Sequence, residues 1–181
     1  MILHDELMKA TIATSRFEES RDYISLSNIF KPVDELLNDY NHGYTTNDEG
    51  KIKCRMGYWM EEGLMQRLLK IGGVKPSRAI EVPNTNGLIK GHPDFFWGNV
   101  PGDCKSFLLD QYLPEPNKLS RKIYWQMNAY MLYSNTDSSI VVCESRESGM
   151  IKTIQVRRNA QVCALIDDKV RAIFQQLKSA A

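Results

Sequence analysis

Three side chains in the middle of the chain have the types and spacing to share one reaction: Asp94, Asp103 and Lys105. They lie in Gly91-His92-Pro93-Asp94-Phe95-Phe96-Trp97 and Gly102-Asp103-Cys104-Lys105. Successive side chains of a strand alternate between faces. Asp103 and Lys105 therefore project to one side, expected to be the exposed one, and Cys104 to the core. Asp94 is followed by a tight connection through Gly98-Asn99-Val100-Pro101-Gly102, so an antiparallel hairpin would set it beside Asp103. Carboxylates that close raise each other's pKa unless a cation lies between them. Oxygen ligands with open water positions suit Mg²⁺ or Mn²⁺. A lysine beside them can orient a water or neutralise charge developing on a phosphate. The chemistry is that of a metal-assisted phosphodiesterase.

Two further groups extend the set. Gly57-Tyr58-Trp59-Met60-Glu61-Glu62 places two acids in the most apolar neighbourhood of the chain. One of them fits a solvated helix face and the other fits a third carboxylate of the site; the one-turn spacing from Gly57 favours Glu61. Gln126 and Tyr130 are four residues apart and stack on one helical face, flanked by Ile123 and Met127. A buried amide there needs partners. A phosphate, a coordinated water or the Asp-Lys strand could supply them.

These residues need elements to hold them. Helical spacing is found over 5–14 and 28–40, the second with Pro32 in its first turn and Ser27 as its cap. A short extended piece over 23–27 separates them, and a polar loop follows over 45–50. A helix over 55–71 has the clearest amphipathic stripe, Met56, Met60, Leu64, Leu68 and Ile71. Strands are predicted over 79–82, 88–97 and 103–109, then a helix over 119–134, a hairpin of strands over 139–144 and 150–156, and a last helix over 159–178. The fold class is α/β: one domain over 1–181, with a single central mixed β-sheet flanked by helices.

Composition agrees. With 181 residues, 43% hydrophobic and 25% charged, the chain is neither disordered nor a disulfide miniprotein. No apolar run approaches the roughly eighteen residues of a membrane helix. The first ten residues carry acids where a signal peptide carries positive charge, which predicts a cytoplasmic location. Twenty-three basic against twenty-two acidic residues leave a net charge of +1, so a nucleic-acid surface has to come from local clustering. Cys54, Cys104, Cys143 and Cys163 have no metal-hook spacing and read as reduced thiols, several in the core.

The ordered set Gly57-x-x-x-Glu61, Gly91-x-Pro93-Asp94, Asp103-x-Lys105 and Gln126-x-x-x-Tyr130 resembles the PD-(D/E)xK nuclease superfamily. It is most similar to the branch of RecB-type exonuclease domains, Cas4 proteins and the mitochondrial genome maintenance exonuclease, over about 25–156. The resemblance implies a restriction-endonuclease-like core and a DNA nuclease dependent on Mg²⁺ or Mn²⁺. It implies that Asp94 and Asp103 bind the metal, with the Cys104 carbonyl and Glu61 completing the sphere. Lys105 is then the catalytic lysine, and Gln126 and Tyr130 order the site. Ser25-Leu26-Ser27 is a weaker match to a serine-containing segment of that branch. Two departures stand out: a glutamate where many members carry a histidine, and no grouping of cysteines for an iron-sulfur cluster.

Lys118, Arg121 and Lys122 open the Gln-Tyr helix, Lys51, Lys53 and Arg55 precede the Glu61 helix, and Arg157-Arg158 end the last strand. Such groups position a DNA strand through its phosphates. Tyr58, Trp59, Tyr124 and Trp125 have the chemistry to stack on bases, although core packing is the commoner role of each. His92 is expected to be structural, and His4 and His42 to be surface residues. The expected activity is exonucleolytic cleavage of DNA ends by a metal-activated water. Its rivals are a structure-specific or RNA-directed endonuclease and a silent nucleic-acid-binding subunit. A homo-oligomer or a recombination partner protein is left open, and no membrane association is expected.

Overall fold

A computed structural model describes residues 22–43, 48–115 and 117–180. The helix expected over 5–14, and His4, lie outside them. In chain order the elements are β1 (Ile24–Ser25), a 3-10 turn (Leu26–Asn28), α1 (Val33–His42), α2 (Asp48–Leu68), β2 (Val74–Pro76), β3 (Ile80–Glu81), β4 (Ile89–Gly91), β5 (Phe95–Trp97) and β6 (Val100–Phe107). A second 3-10 turn (Asp110–Tyr112), α3 (Arg121–Ser134), β7 (Ser138–Ser145), β8 (Ile151–Arg157) and α4 (Ala160–Ala180) follow. No helix of the described residues is long and apolar enough to cross a membrane.

The α/β class holds, but the strands form two sheets rather than one. Five run in the order β2-β5-β6-β7-β8 and three in the order β1-β4-β3. The apolar run over 88–97, read as one strand, divides at His92-Pro93-Asp94, and its halves join different sheets. Pro93 has no N–H to give to a ladder, so pairing stops there. β2 was not anticipated; three residues that follow Gly73 and end in a proline carry too little periodicity to be seen.

β6 is the centre of the larger sheet. It pairs antiparallel with β5, Phe95 opposite Gly102, and parallel with β7, Asp103 opposite Val141 and Lys105 opposite Cys143. A parallel pair needs a crossover, and α3 supplies it, its N-terminus capped by the Ser120 hydroxyl, which accepts from the Ile123 N–H at 3.4 Å. Met127, Tyr130 and Met131 of α3 enter the main core with Val141, Cys143, Ile154 and Val156 from the sheet and Ile166, Val170 and Ile173 from α4. The opposite face carries a smaller core of Phe95, Cys104 and Val142 under Leu64 of α2. Cys104, Cys143 and Cys163 are buried free thiols.

Two helices differ from their periodicity. The Ser25 hydroxyl, not that of Ser27, caps the first 3-10 turn, accepting from the Ser27 N–H at 3.3 Å. α1 then starts only at Val33, with Pro32 as its N-cap, because a residue preceding proline disfavours helical geometry. α2 begins at Asp48, so 48–50 is helix instead of loop and Lys51 and Lys53 lie within it. Among its described side chains and glycines, Gly57 and Leu64 are buried, whereas Met56 (48%) and Ile71 (50%) from the predicted stripe are half exposed. The helix is rotated because it packs on the narrow Phe95–Cys104 core rather than the main one.

Gly102 lies under the Phe95 ring. A Cβ there would come within 2.1 Å of Phe95 Cζ, where no side chain fits. Gly63, in α2, has open space around it. Gly102→Ala is therefore expected to destabilise by about 1–3 kcal/mol through overpacking, and Gly63→Ala to stabilise by up to about 1 kcal/mol through helix propensity. Urea unfolding of the two variants checks both signs.

Candidate functional site

The β5–β6 hairpin aligns the two aspartates. Phe95 opposes Gly102, so Asp94 and Asp103, one residue further out, face each other across the pair. Asp94 Oδ2 accepts a hydrogen bond from the Cys104 N–H at 2.6 Å. Asp103 is buried, at 2% exposure, and its Oδ2 forms an ion pair with Lys105 Nζ. Alternation thus holds, with Asp103 and Lys105 on one face and Cys104 in the core. The expectation that this face is exposed does not hold, because α3 covers it.

Gln126 reaches down from α3 and donates from Nε2 to Asp103 Oδ1 at 2.9 Å and to the Tyr130 hydroxyl at 3.0 Å. Tyr130 donates in turn to the His92 carbonyl at 3.2 Å. Its oxygen is then an acceptor, and the Ser27 hydroxyl, 3.0 Å away, is the donor to it. Burial first, and the Asp103 charge second, push the Tyr130 phenol up, so it keeps the proton this chain of bonds requires. Gly91 admits the ring: a Cβ there would lie 2.6 Å from Tyr130 Cε1. Gln126 Oε1 is buried without a hydrogen-bond partner, and Asp103 Oδ2 has only its ion pair with Lys105.

Of the two glutamates, Glu61 is the one beside Asp103 and Lys105. It is half-buried, while Glu62 is exposed. Burial raises the Glu61 pKa and Asp103 adds to this, opposed by Lys105, the Ser106 main chain and Arg146. Asp94 is raised to about 7, by burial and then by Asp103, with Glu61 contributing. Burial works against the Lys105 charge, but Asp103, Asp94 and Glu61 outweigh it and raise its pKa. Burial and the same acids also push the Cys104 thiol up, so only its main-chain carbonyl suits a cation. The donors here are hard oxygens, the kind that suit a small divalent ion. Among the described residues, no three His, Cys, Asp or Glu side chains form a ready-made cage. Asp103 Oδ2 is turned onto Lys105 and Asp94 Oδ2 onto the Cys104 N–H.

Basic and aromatic groups surround these elements. Lys118, Arg121 and Lys122 are exposed at the start of α3, and Lys118 lies 3.9 Å from Glu115. The Arg121 guanidinium lies 5.2 Å from the Trp125 ring centroid and that of Arg55 4.5 Å from Trp59. Trp59 (53%) and Tyr58 (42%) are exposed, which removes core packing as their role, whereas Tyr124 and Trp125 pack on the main core. His92 lies against Tyr23, with ring centroids 5.5 Å apart. Sequence reasoning missed Ser106 and Arg146, joined at 2.8 Å on the Glu61 side of β6. Neither carries a local pattern; Gly57, whose Cβ would touch Arg146, was the one available signal.

The raised Asp94 pKa has a defined consequence. The folded chain keeps this proton from the ordinary value of 3.8 up to about 7, while the unfolded chain loses it. Folding stability therefore falls as pH rises through that window and levels above it. Asp94→Asn is expected to be more stable than the unaltered chain by roughly 1–3 kcal/mol at pH 8 and little different near pH 4. Urea unfolding at both pH values checks this; an equal difference at both would contradict it.

No family model matches the sequence, and no curated protein matches it. Solved structures do. An alkaline exonuclease, LHK-Exo from Laribacter hongkongensis, superposes with a TM-score of 0.66 at 14% identity, over 95% of this chain and 93% of that one. The same enzyme in complex with dAMP gives 0.64 at 16% identity, over 97% and 93%. A phage-related exonuclease from Haemophilus somnus gives 0.58 at 14% identity, over 87% and 96%. These likenesses show the architecture: the chain shares the α/β fold of those exonuclease structures.

Proposed function

We propose that this chain is a divalent-metal-dependent DNA nuclease that acts on DNA ends. The observation that carries the reading is the convergence of Asp94, Asp103, Glu61 and Lys105 on one strand pair, held by Gln126 and Tyr130. The exonuclease activity of the structural neighbours, one of which binds dAMP, supports a nucleic-acid substrate. Asp94, Asp103, the Cys104 carbonyl and Glu61 would hold Mg²⁺ or Mn²⁺. When bound, such an ion offsets the charge that builds on the phosphate and makes water a better nucleophile.

The remaining work falls to the side chains. Lys105 stays an ammonium, because the acids around it raise its pKa. It serves as a donor and a positive charge, not as a base, and stabilises the phosphate during in-line attack. Glu61 orders the water or the ion from the α2 side. Gln126 fixes Asp103 through Oδ1. Tyr130 and Ser27 fix Gln126, so these three are positioning residues. Lys118, Arg121, Lys122 and Arg55 contact phosphates along the strand. Tyr58 and Trp59, exposed on α2, offer stacking surfaces to its bases.

Cleavage of end-labelled linear single-stranded and duplex DNA, with Mg²⁺, Mn²⁺ or EDTA, tests the reading. Metal-dependent loss of substrate is expected, with circular single-stranded DNA resistant. Asp103→Asn and Lys105→Ala are expected to lose cleavage while staying folded; full activity of Asp103→Asn would sink the site. Gln126→Ala is expected to slow the reaction less than Asp103→Asn does. Mg²⁺ at about 100 times its Kd should also stabilise the unaltered chain by about 2.7 kcal/mol, and Asp103→Asn much less.

A further inference from the structure

Arg146 follows the last residue of β7 and takes no part in the Gln126 network. Its main-chain N–H donates to the Phe107 carbonyl at 2.7 Å, extending the β6–β7 ladder by one residue. The guanidinium turns back along β6, and Nη2 donates to Ser106 Oγ at 2.8 Å. The third wall is α2, where a Cβ at Gly57 would lie 3.3 Å from Nη2, tighter than side chains normally pack. Three elements thus seat one guanidinium beside the residue that follows Lys105, and its charge acts on Glu61.

The seat leaves most of the guanidinium unused. Of its five N–H donors, Ser106 takes one, and Nε is buried without a partner. Among the described residues, no carboxylate lies within ion-pair distance of it. Arg146 is half-buried, and a buried N–H without a partner is costly unless an acceptor completes it. A planar fork of this kind matches the paired oxygens of a phosphate. Lys105 is engaged with Asp103, and the Arg146 guanidinium is held at Ser106, one residue further along β6, a position suited to a neighbouring phosphate.

We propose that Arg146 binds a backbone phosphate of the DNA strand adjacent to the one being cut, with Ser106 and Gly57 holding its guanidinium in place. This rests on the nuclease reading and adds a substrate contact to it.

The test pairs the residue with the phosphate. Binding of single-stranded DNA is measured by fluorescence anisotropy in the Asp103→Asn protein, with and without Arg146→Gln, using oligonucleotides that carry one neutral methylphosphonate at successive positions. Arg146→Gln is expected to weaken binding roughly ten- to a hundredfold, to lower the salt slope by about one, and to lose sensitivity to the methylphosphonate at one position. Arg146→Lys should recover part of the affinity, and Ser106→Ala should show a smaller loss at the same position. Those two variants carry the scan if Arg146→Gln does not fold. An unchanged scan and salt slope, in a protein whose unaltered form cuts DNA, overturn this inference alone. An unaltered chain that neither binds nor cuts DNA overturns the nuclease reading and this inference with it.

Discussion

The antiparallel turn between β5 and β6 forces two carboxylates side by side, and the rest of the site answers that repulsion. Asp94 and Asp103 face each other because Phe95 is locked opposite Gly102, where only a glycine fits under the ring. Neither acid can swing away: Asp94 is tied to the Cys104 N–H, and Asp103 lies between Gln126 and Lys105. The strain shows as proton affinity, with Asp94 raised to about 7 by burial and by its neighbour. A carboxyl so placed keeps its proton unless a cation joins it.

Holding it takes both sheets. Ser27 follows β1, and the His92 carbonyl lies just past β4, both beyond the same end of the parallel β1–β4 pair in the three-stranded sheet. Asp103 belongs to the five-stranded sheet, and Gln126 and Tyr130 to the helix that crosses it. The hydrogen bonds through Tyr130 join these parts, so the two sheets meet at the candidate site. The break at Pro93 is part of the same design. It lets β4 pair in one sheet and β5 in the other, with Asp94 on the hinge between them. Each bond in such a buried network polarises the next, and an unpaired member would be costly.

What was legible in the sequence follows from this geometry. The face alternation of Asp103, Cys104 and Lys105, and their closeness to Asp94, need only a strand, a short turn and a second strand. Local spacing encodes all three. Gln126 and Tyr130 were legible as a helical pair, yet their partners Ser27 and His92 are about a hundred and about forty residues away, and no periodicity reports such contacts. The exposed face assigned to Asp103 failed for the same reason, since α3 covers it by tertiary packing. The stripe on α2 held at Leu64 and Leu68, which meet the smaller core, and failed at Met56 and Ile71, because residue type alone cannot say which core a helix meets. Gly57 and Leu64, buried on that helix, are a weaker pattern than five large apolar residues. Arg146 was invisible because a lone arginine after a strand looks like any surface charge.

The balance of charge explains how such a site would work on a polyanion. Three acids, Asp94, Asp103 and Glu61, stand against Lys105 and the nearby Arg146. Unaided, that excess of negative charge opposes a phosphate. Mg²⁺ is commonly held by one or two carboxylates together with substrate phosphates, rather than by a cage made of protein alone. The donors here suit that division, for the aspartate oxygens rest on internal partners instead of converging on one point. On the nuclease reading, the ion and the DNA therefore bind as a coupled pair. Whatever factor one adds to the affinity of the other is returned in equal measure. The repulsion built into the β5–β6 hairpin is then the source of that coupling, and the network around Gln126 keeps it from relaxing before the substrate arrives.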